Sequence, residues 1–343
     1  MRVGVVGCGF MGRQHALAYV EVARRLQRVR PDAVPTLVAV CDRDPARASA
    51  VAAEAGAVAY TDLDAMLAAE RLDLVDVVTP DFAHRAPTIT ALAAGCHVFV
   101  EKPIAQTTAD AAAMIEAATL AGRALAVNFN RRFARPYALA REYQRQGRLG
   151  RLLYALFRVA VPASRAVSTP YELVYDSLIH LLDLARWYGG EVAQVSCALD
   201  GLAEGLHGKA YHDAAITLRF AEGGVATVTG SWHGSRLHGI EYAEIQGAGG
   251  RARIDNVVSR FTFEPNDDAL AAVWEPRPFG EATRLLQFYP TTVEEHLAAL
   301  LPALVDRQPV PVSGVDGLAA LRLVLAAIQS FEAGRPVAPH EIA

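Results

Sequence analysis

Arg2-Val3-Gly4-Val5-Val6-Gly7-Cys8-Gly9-Phe10-Met11-Gly12 is the stretch that decides the fold. A continuous apolar strand ends at a glycine, the spacing G-x-G-x-x-G follows, and a helical run from about Met11 to Leu26 begins at once. Each glycine meets a separate requirement. Gly7 permits a tight turn, Gly9 lets a pyrophosphate approach the backbone, and Gly12 allows helix and strand to pack closely. The helix start offers N–H groups and partial positive charge to phosphates. Gly7, Gly9, Phe10, Met11 and Gly12 are therefore the candidate dinucleotide loop.

Downstream, short β-branched runs alternate with Ala-rich helical runs as far as residue 127, the pattern of a parallel sheet with crossover helices. Thr36–Cys41, Leu74–Thr79, His97–Val100 and Ala124–Phe129 read as further strands of a six-stranded, doubly wound sheet. Asp44-Pro45 reads as the start of a helix that Gly56 stops, and Gly122 stops another that begins near Thr108. The texture then changes. A basic helical stretch (Arg131–Arg148) precedes the strand-like Leu152–Val161 and a helix over about Asp176–Trp187. Strand-like runs separated by Gly-rich turns follow to Phe263, Ala214–Phe220, Val225–Trp232 and Tyr242–Gln246 among them. Helical runs at Thr292–Val305 and Val315–Glu332 close the chain. The expectation is an α/β protein: an N-terminal Rossmann domain (1–127), then an α+β domain (128–343) built on a mostly antiparallel sheet.

Composition narrows the function. The 343 residues suit roughly two domains at about 150 each. A net charge of -4 argues against a nucleic-acid binder, which needs a basic face. No run reaches about 18 uninterrupted apolar residues, so no membrane span is expected, and the N-terminus carries no signal-peptide cleavage site. Cys8, Cys41, Cys96 and Cys197 lie far apart and read as reduced thiols of a cytoplasmic protein, with no clustered ligands for a metal. Of the 33 basic residues 31 are Arg; only Lys102 and Lys209 are Lys.

The second strand ends at Cys41-Asp42-Arg43. An acid there accepts hydrogen bonds from a ribose diol and repels a 2′-phosphate, which favours NAD, whereas Arg43 leaves NADP open. Thr79-Pro80-Asp81-Phe82-Ala83-His84 follows the fourth strand and Glu101-Lys102-Pro103 the fifth, both at the sheet edge where ligands bind. Lys102 thereby points toward the nicotinamide region. In a chain so rich in Arg, a lysine here supports a lysine-specific role, since its proton is lost far more readily. A second constellation is Asp176-Ser177-Leu178-Ile179-His180-Leu181-Leu182-Asp183. On a helix Asp176 and His180 share a face, and a carboxylate beside imidazole raises its basicity, as proton abstraction needs. Asp183 offers a second partner. Of the other histidines, His15, His207, His212, His233, His238, His296 and His340 show no comparable constellation, and His84 stands out only by lying in the edge loop.

The ordered motifs G-C-G-F-M-G, T-P-D-F-A-H, E-K-P, N-F-N-R-R-F and D-S-L-I-H-L-L-D-L-A-R-W resemble those of the Gfo/Idh/MocA oxidoreductases over nearly the whole length. The resemblance implies a homodimer or homotetramer joined through a face of the second sheet. It implies that Lys102 contacts the reacting oxygen, that His180 is the acid/base with Asp176 as its partner, and that Asn128, Arg131 and Arg132 border cofactor and substrate. Tyr171-Glu172-Leu173-Val174-Tyr175 stands where many members are Gly-rich, so the pocket's shape is this chain's own. Arg158, Tyr175, Trp232 and His233 are candidate pocket residues. The leading expectation is an NAD(P)-dependent oxidoreductase of CH–OH groups in a sugar, cyclitol or related polyol. The alternatives are a non-catalytic dinucleotide- and sugar-binding regulator, and a glycosidase that uses bound NAD with no net redox change.

Overall fold

β1 (Arg2–Val6) runs into the glycine loop and α1 (Phe10–Val29), whose buried positions Gly12, His15, Ala16, Tyr19, Val22 and Leu26 recur every three or four residues. That stripe lies on the sheet, and each large apolar side chain it buries contributes about 1.5–3 kcal/mol. The computed structural model describes residues 1–162, 169–205, 208–234, 240–267, 269–276 and 288–343; His207 and His238 lie outside them. The first sheet continues with β2 (Thr36–Cys41), β3 (Val58–Tyr60), β4 (Leu74–Val77), β5 (His97–Val100) and β6 (Leu125–Val127). All are parallel, in the order β3-β2-β1-β4-β5-β6. The order reverses between β1 and β4, and there a doubly wound sheet opens a ligand crevice.

The helices between these strands are α2 (Pro45–Ala55), α3 (Leu63–Ala69), α4 (Arg85–Ala93) and α5 (Thr108–Ala121). Asp44 caps α2 by accepting from the N–H groups of Ala46 and Arg47, and Thr107 caps α5 through Asp110 N–H. Gly56 and Gly122 end the same helices at φ +71° and +60°, left-handed conformations that side chains disfavour.

The second sheet has eight strands. β7 (Leu152–Ala160), β8 (Val192–Asp200), β11 (Asp213–Phe220), β12 (Val225–Ser231), β13 (Ile240–Gly247), β14 (Gly250–Asp255), β15 (Arg260–Pro265) and β16 (Ala272–Trp274) pair in the order β16-β15-β14-β13-β7-β12-β11-β8. Among the described residues of this sheet only β7 and β12 are parallel neighbours. β9 (Ala203–Gly205) and β10 (Gly208–Ala210) form a separate ribbon. A 3-10 turn at Asn130–Phe133 and α6 (Arg135–Arg145) stand where one basic helix was expected. Pro136 in the first turn of α6 explains the break: it has no N–H, and in a continuous helix its ring would clash with the Arg132 carbonyl, so it is tolerated at a helix start, which the extended Ala134 provides. α7 (Ile179–Gly189) packs on the face of the sheet that carries Phe157: Tyr188 stacks on Phe157, and Leu178 fills the space over Gly230.

Two helices close the chain, α8 (Phe288–Val305) and α9 (Gly314–Ala333). The chain divides into two compact units, Met1–Asn130 with Tyr289–Leu318, and Arg131–Phe288 with Ala319–Ala343. The first therefore takes back α8, a segment that a cut after residue 127 assigns to the second domain. The physical reason is apolar: Val293, Leu297, Leu300, Leu301 and Leu304 join the core of Val3, Val5, Tyr19 and Phe99. α9 is long and apolar enough to cross a membrane by length and composition, yet more than half of it is buried in the protein, with Leu321 and Val324 fully enclosed. Cys8, Cys41, Cys96 and Cys197 are free thiols.

Candidate functional site

In the first unit the loops after β1, β2, β4, β5 and β6 gather at one sheet edge. Gly7 has φ +99°, and a Cβ there would sit 2.5 Å from the Val78 carbonyl, so β1 and β4 leave the sheet in contact. A Cβ on Gly12 would fall 1.8 Å from the Gly7 carbonyl, so the turn admits no larger residue. At Gly9, by contrast, a Cβ would meet nothing within 4 Å: the glycine holds open space. Gly9 at the N-cap brings no capping side chain and no acid lies in the first turn of α1, which suits the helix end to a pyrophosphate. Phe10 is 69% exposed and Met11 half-buried beside it.

The half-buried Asp42 carboxylate accepts the Cys8 N–H at 2.7 Å on one oxygen and the Asp44 N–H at 2.9 Å on the other. It thus ties the end of β2 to the glycine loop, and its remaining lone pairs suit a ribose diol. Arg43 is exposed. Thr79 and Pro80 follow β4, with the Thr79 hydroxyl donating to the Ala83 carbonyl at 3.2 Å. His84 is buried, with Nδ1 2.9 Å from the Pro103 carbonyl and Nε2 2.9 Å from that of Thr79. Burial lowers its pKa, so the ring is neutral and donates to one carbonyl at a time, linking the two edge loops.

Lys102 is half-buried, and its backbone N–H donates to Glu101 Oε2 at 2.9 Å. Glu101 is buried and leads into a polar cluster. Its Oε1 lies 2.7 Å from the Asn128 amide nitrogen and 3.0 Å from His15 Nε2, while His15 Nδ1 lies 2.8 Å from Asp76. Asn128 Oδ1 meets His296 Nδ1 at 3.1 Å. Burial opposes charge on Glu101, but the His15 hydrogen bond, the His15 charge and Lys102 outweigh it and pull the carboxyl down to about 2. Asn128 is thus buried and holds Glu101 from behind. His15, Asp76 and His296 escaped the sequence reading. The available signal was Asp76, a carboxylate inside the otherwise apolar Leu74-Val75-Asp76-Val77, which has to find a partner.

In the second unit Asp176 does not open an α-helix. Val174–Leu178 winds as one π turn, with α7 starting at Ile179, so the Asp176–His180 pair spans the junction of two helix types. Such turns concentrate at functional sites. His180 is buried and Asp176 half-buried. Asp183 pairs with Arg132: Nε–Oδ2 is 2.8 Å and Nη2–Oδ1 2.5 Å, both side chains buried. Arg131 is likewise buried against Glu241 at 2.8 Å, which also accepts from the Tyr137 hydroxyl at 2.9 Å. Arg158 is exposed between buried Phe157 and Val159, so it points away from the face on which α7 lies and is not brought together with Asp176 and His180. Tyr175 is half-buried in the π turn. Trp232 is buried and packs on His212, whose ring meets the exposed His233. Among the described residues no group of three or more His, Cys, Asp or Glu side chains is placed to hold a metal ion.

Residues 1–129 match the oxidoreductase family with an NAD-binding Rossmann fold, and residues 137–253 match the Gfo/Idh/MocA C-terminal domain. The D-apiose dehydrogenase of Paraburkholderia graminis is 31% identical, over 97% of this chain and 88% of its own. The chain belongs to the Gfo/Idh/MocA oxidoreductases. The myo-inositol 2-dehydrogenase of Thermotoga maritima is 29% identical across 100% of this chain and 99% of its own. A levoglucosan dehydrogenase solved with NADH and L-sorbose superposes with a TM-score of 0.87 at 22% identity, covering 98% of each chain, and so shares the fold. This Gfo/Idh/MocA protein is thus an oxidoreductase whose first domain binds NAD.

Proposed function

We propose that the protein is an NAD-dependent dehydrogenase or reductase that oxidises or forms a secondary hydroxyl in a sugar, cyclitol or related polyol. The observation that carries this reading is the convergence of the glycine loop, Asp42 and the Glu101-Lys102 turn on the carboxyl edge of one sheet. The names of its relatives, dehydrogenases of D-apiose and myo-inositol, support the substrate class. Gly7, Gly9, Phe10, Met11 and Gly12 hold the pyrophosphate of NAD, and Asp42 holds its ribose. A carboxylate already bound to two loop N–H groups would face a 2′-phosphate, which argues for NAD over NADP. Thr79, Pro80, His84 and Glu101 shape the nicotinamide end.

NAD, when bound, supplies the carbon that accepts hydride from the carbinol. His180 takes the hydroxyl proton, Asp176 orients its ring, and Lys102 steadies the negative charge that develops on oxygen. In reduction His180 returns the proton. Arg131 and Tyr175 are proposed to shape the substrate pocket; Arg158, on the other face of the sheet, is left out. Residues 1–127, with the segments of 128–343 that return to the first unit, serve the cofactor; the rest of 128–343 serves the substrate and a homodimeric or homotetrameric assembly, with a cytoplasmic location. Steady-state assays with D-apiose, myo-inositol and levoglucosan test the reading. Net, continuing formation of NADH is expected with at least one of them. NAD binding without net turnover on any polyol would point to a regulator or to a glycosidase without net redox change.

A further inference from the structure

Apart from Glu101, the buried cluster behind Lys102 has no part in the chemistry above, and its geometry is specific. His15, fully buried on α1, faces a carboxylate from each ring nitrogen: Asp76 at 2.8 Å and Glu101 at 3.0 Å. A neutral imidazole donates from one nitrogen only; were that Nδ1, Nε2 would accept from the Asn128 amide at 3.1 Å but face the Glu101 oxygen lone pair to lone pair at 3.0 Å, so donation to both carboxylates needs the imidazolium. The groups around the ring come from every neighbouring element. Tyr19 lies one turn along α1, Asp76 on β4, Glu101 and Lys102 after β5, and Asn128 after β6, and Asn128 in turn meets His296 of α8. Phe99 stacks on His15 at 5.8 Å and meets His296 edge-on at 4.9 Å, so the polar groups are walled by an aromatic ring. Two carboxylates, one imidazolium and the Lys102 ammonium balance to zero. Burial disfavours charge on His15, yet Asp76 and Glu101 together lift it from 6.5 to about 10.

We infer that His15 is a positioning residue for the reaction: with Asp76 as its counter-charge, it holds from inside the sheet the Glu101 carboxylate that supports Lys102. The inference rests on the reading of Lys102 as the group that contacts the reacting oxygen. It has a consequence that a space-filling role does not. Replacing His15 by a neutral side chain leaves two buried carboxylates facing one cation, and one of them must take up a proton. Neutralising Asp76 as well restores the balance.

The test uses full-length protein. In the cofactor-free enzyme, nitrogen NMR of labelled histidine at about pH 8, above the ordinary histidine range, should show both His15 nitrogens protonated. A neutral ring overturns the inference. With whichever of D-apiose, myo-inositol and levoglucosan gives NADH, His15→Gln should lower kcat by about tenfold or more while the KM for NAD stays within about twofold, and should shift the pH profile. His15→Gln/Asp76→Asn should recover most of that loss and the original profile. An unchanged kcat and profile overturns the inference, as does a loss that the second substitution leaves in place with the profile unmoved. If His15→Gln does not fold, the double variant and Asp76→Asn carry the same comparison: a folded, active double variant supports the charge balance, and an inactive one overturns it. Lys102→Met run in parallel separates the two failures. Full turnover there removes the role of Lys102, whereas a dead Lys102→Met beside a normal His15→Gln removes only that of His15.

Discussion

The two groups proposed to act on the hydroxyl are mounted in opposite ways. Lys102 sits on a strand-end turn whose support comes from α1, β4, the end of β6 and α8, all contributing polar groups. His180 sits on a helix whose neighbours along the chain are apolar, Leu178, Ile179, Leu181 and Leu182 all being fully buried, and its special feature is the π turn before it. In the second unit the buried charge is concentrated in arginine–carboxylate pairs, Arg131–Glu241 and Arg132–Asp183. The difference teaches that a buried ion pair is not by itself a sign of chemistry. The first unit's cluster ends at a residue on the ligand-binding edge, whereas Arg132–Asp183 ties α7 to the segment leading into α6.

This contrast can be broken at several points. The largest effects should fall on turnover. Lys102→Met and His180→Asn should each lower kcat by roughly 10²–10⁴ with NAD still bound, measured by steady-state kinetics beside fluorescence titration of NADH. Asp183→Ala should instead act on the fold. Leaving the Arg132 guanidinium buried without its carboxylate costs about 3–5 kcal/mol, read in chemical denaturation, with the pH profile of surviving activity unmoved. A shifted profile there would mean that the pair belongs to the chemistry after all.

The glycine loop sharpens the contrast on a smaller scale. Gly9→Ala meets no atom within 4 Å and should leave the melting temperature unchanged while weakening NAD by about tenfold, since only the pyrophosphate needs that space. Gly12→Ala, aimed at the Gly7 carbonyl, should lose both stability and binding. The smallest effect is on stability against pH. The folded His15 pKa is raised to about 10, so its contribution is complete below its ordinary 6.5 and fades as pH rises through about 10. Glu101, lowered to about 2, contributes above its ordinary 4.5 and loses this as pH falls through about 2. Melting curves of cofactor-free protein should decline toward both limits, and His15→Gln should flatten the alkaline side.

What was legible in the chain was what is decided locally. The turn at Gly7, the cap at Asp44 and the stops at Gly56 and Gly122 each depend on a few adjacent residues, and most of the six-stranded sheet follows from their order, the short β3 excepted. The Lys102 support was not legible, because His15, Asp76, Glu101, Asn128 and His296 come from five separate segments and only the fold assembles them. The same holds for α8, whose leucines fill a core begun some 290 residues earlier. Arg158 shows a middle case. Period-two alternation on β7 separates it from Phe157, but only the packing of α7 reveals which face is which.

The most direct measurement of the central claim is the amount of NADH formed in one rapid turnover by enzyme saturated with NAD and a polyol from the panel. Wild type should form NADH in proportion to its sites, and Lys102→Met, equally saturated with NAD, should form it at least about a hundredfold more slowly. Equal rates in the two proteins would contradict the account.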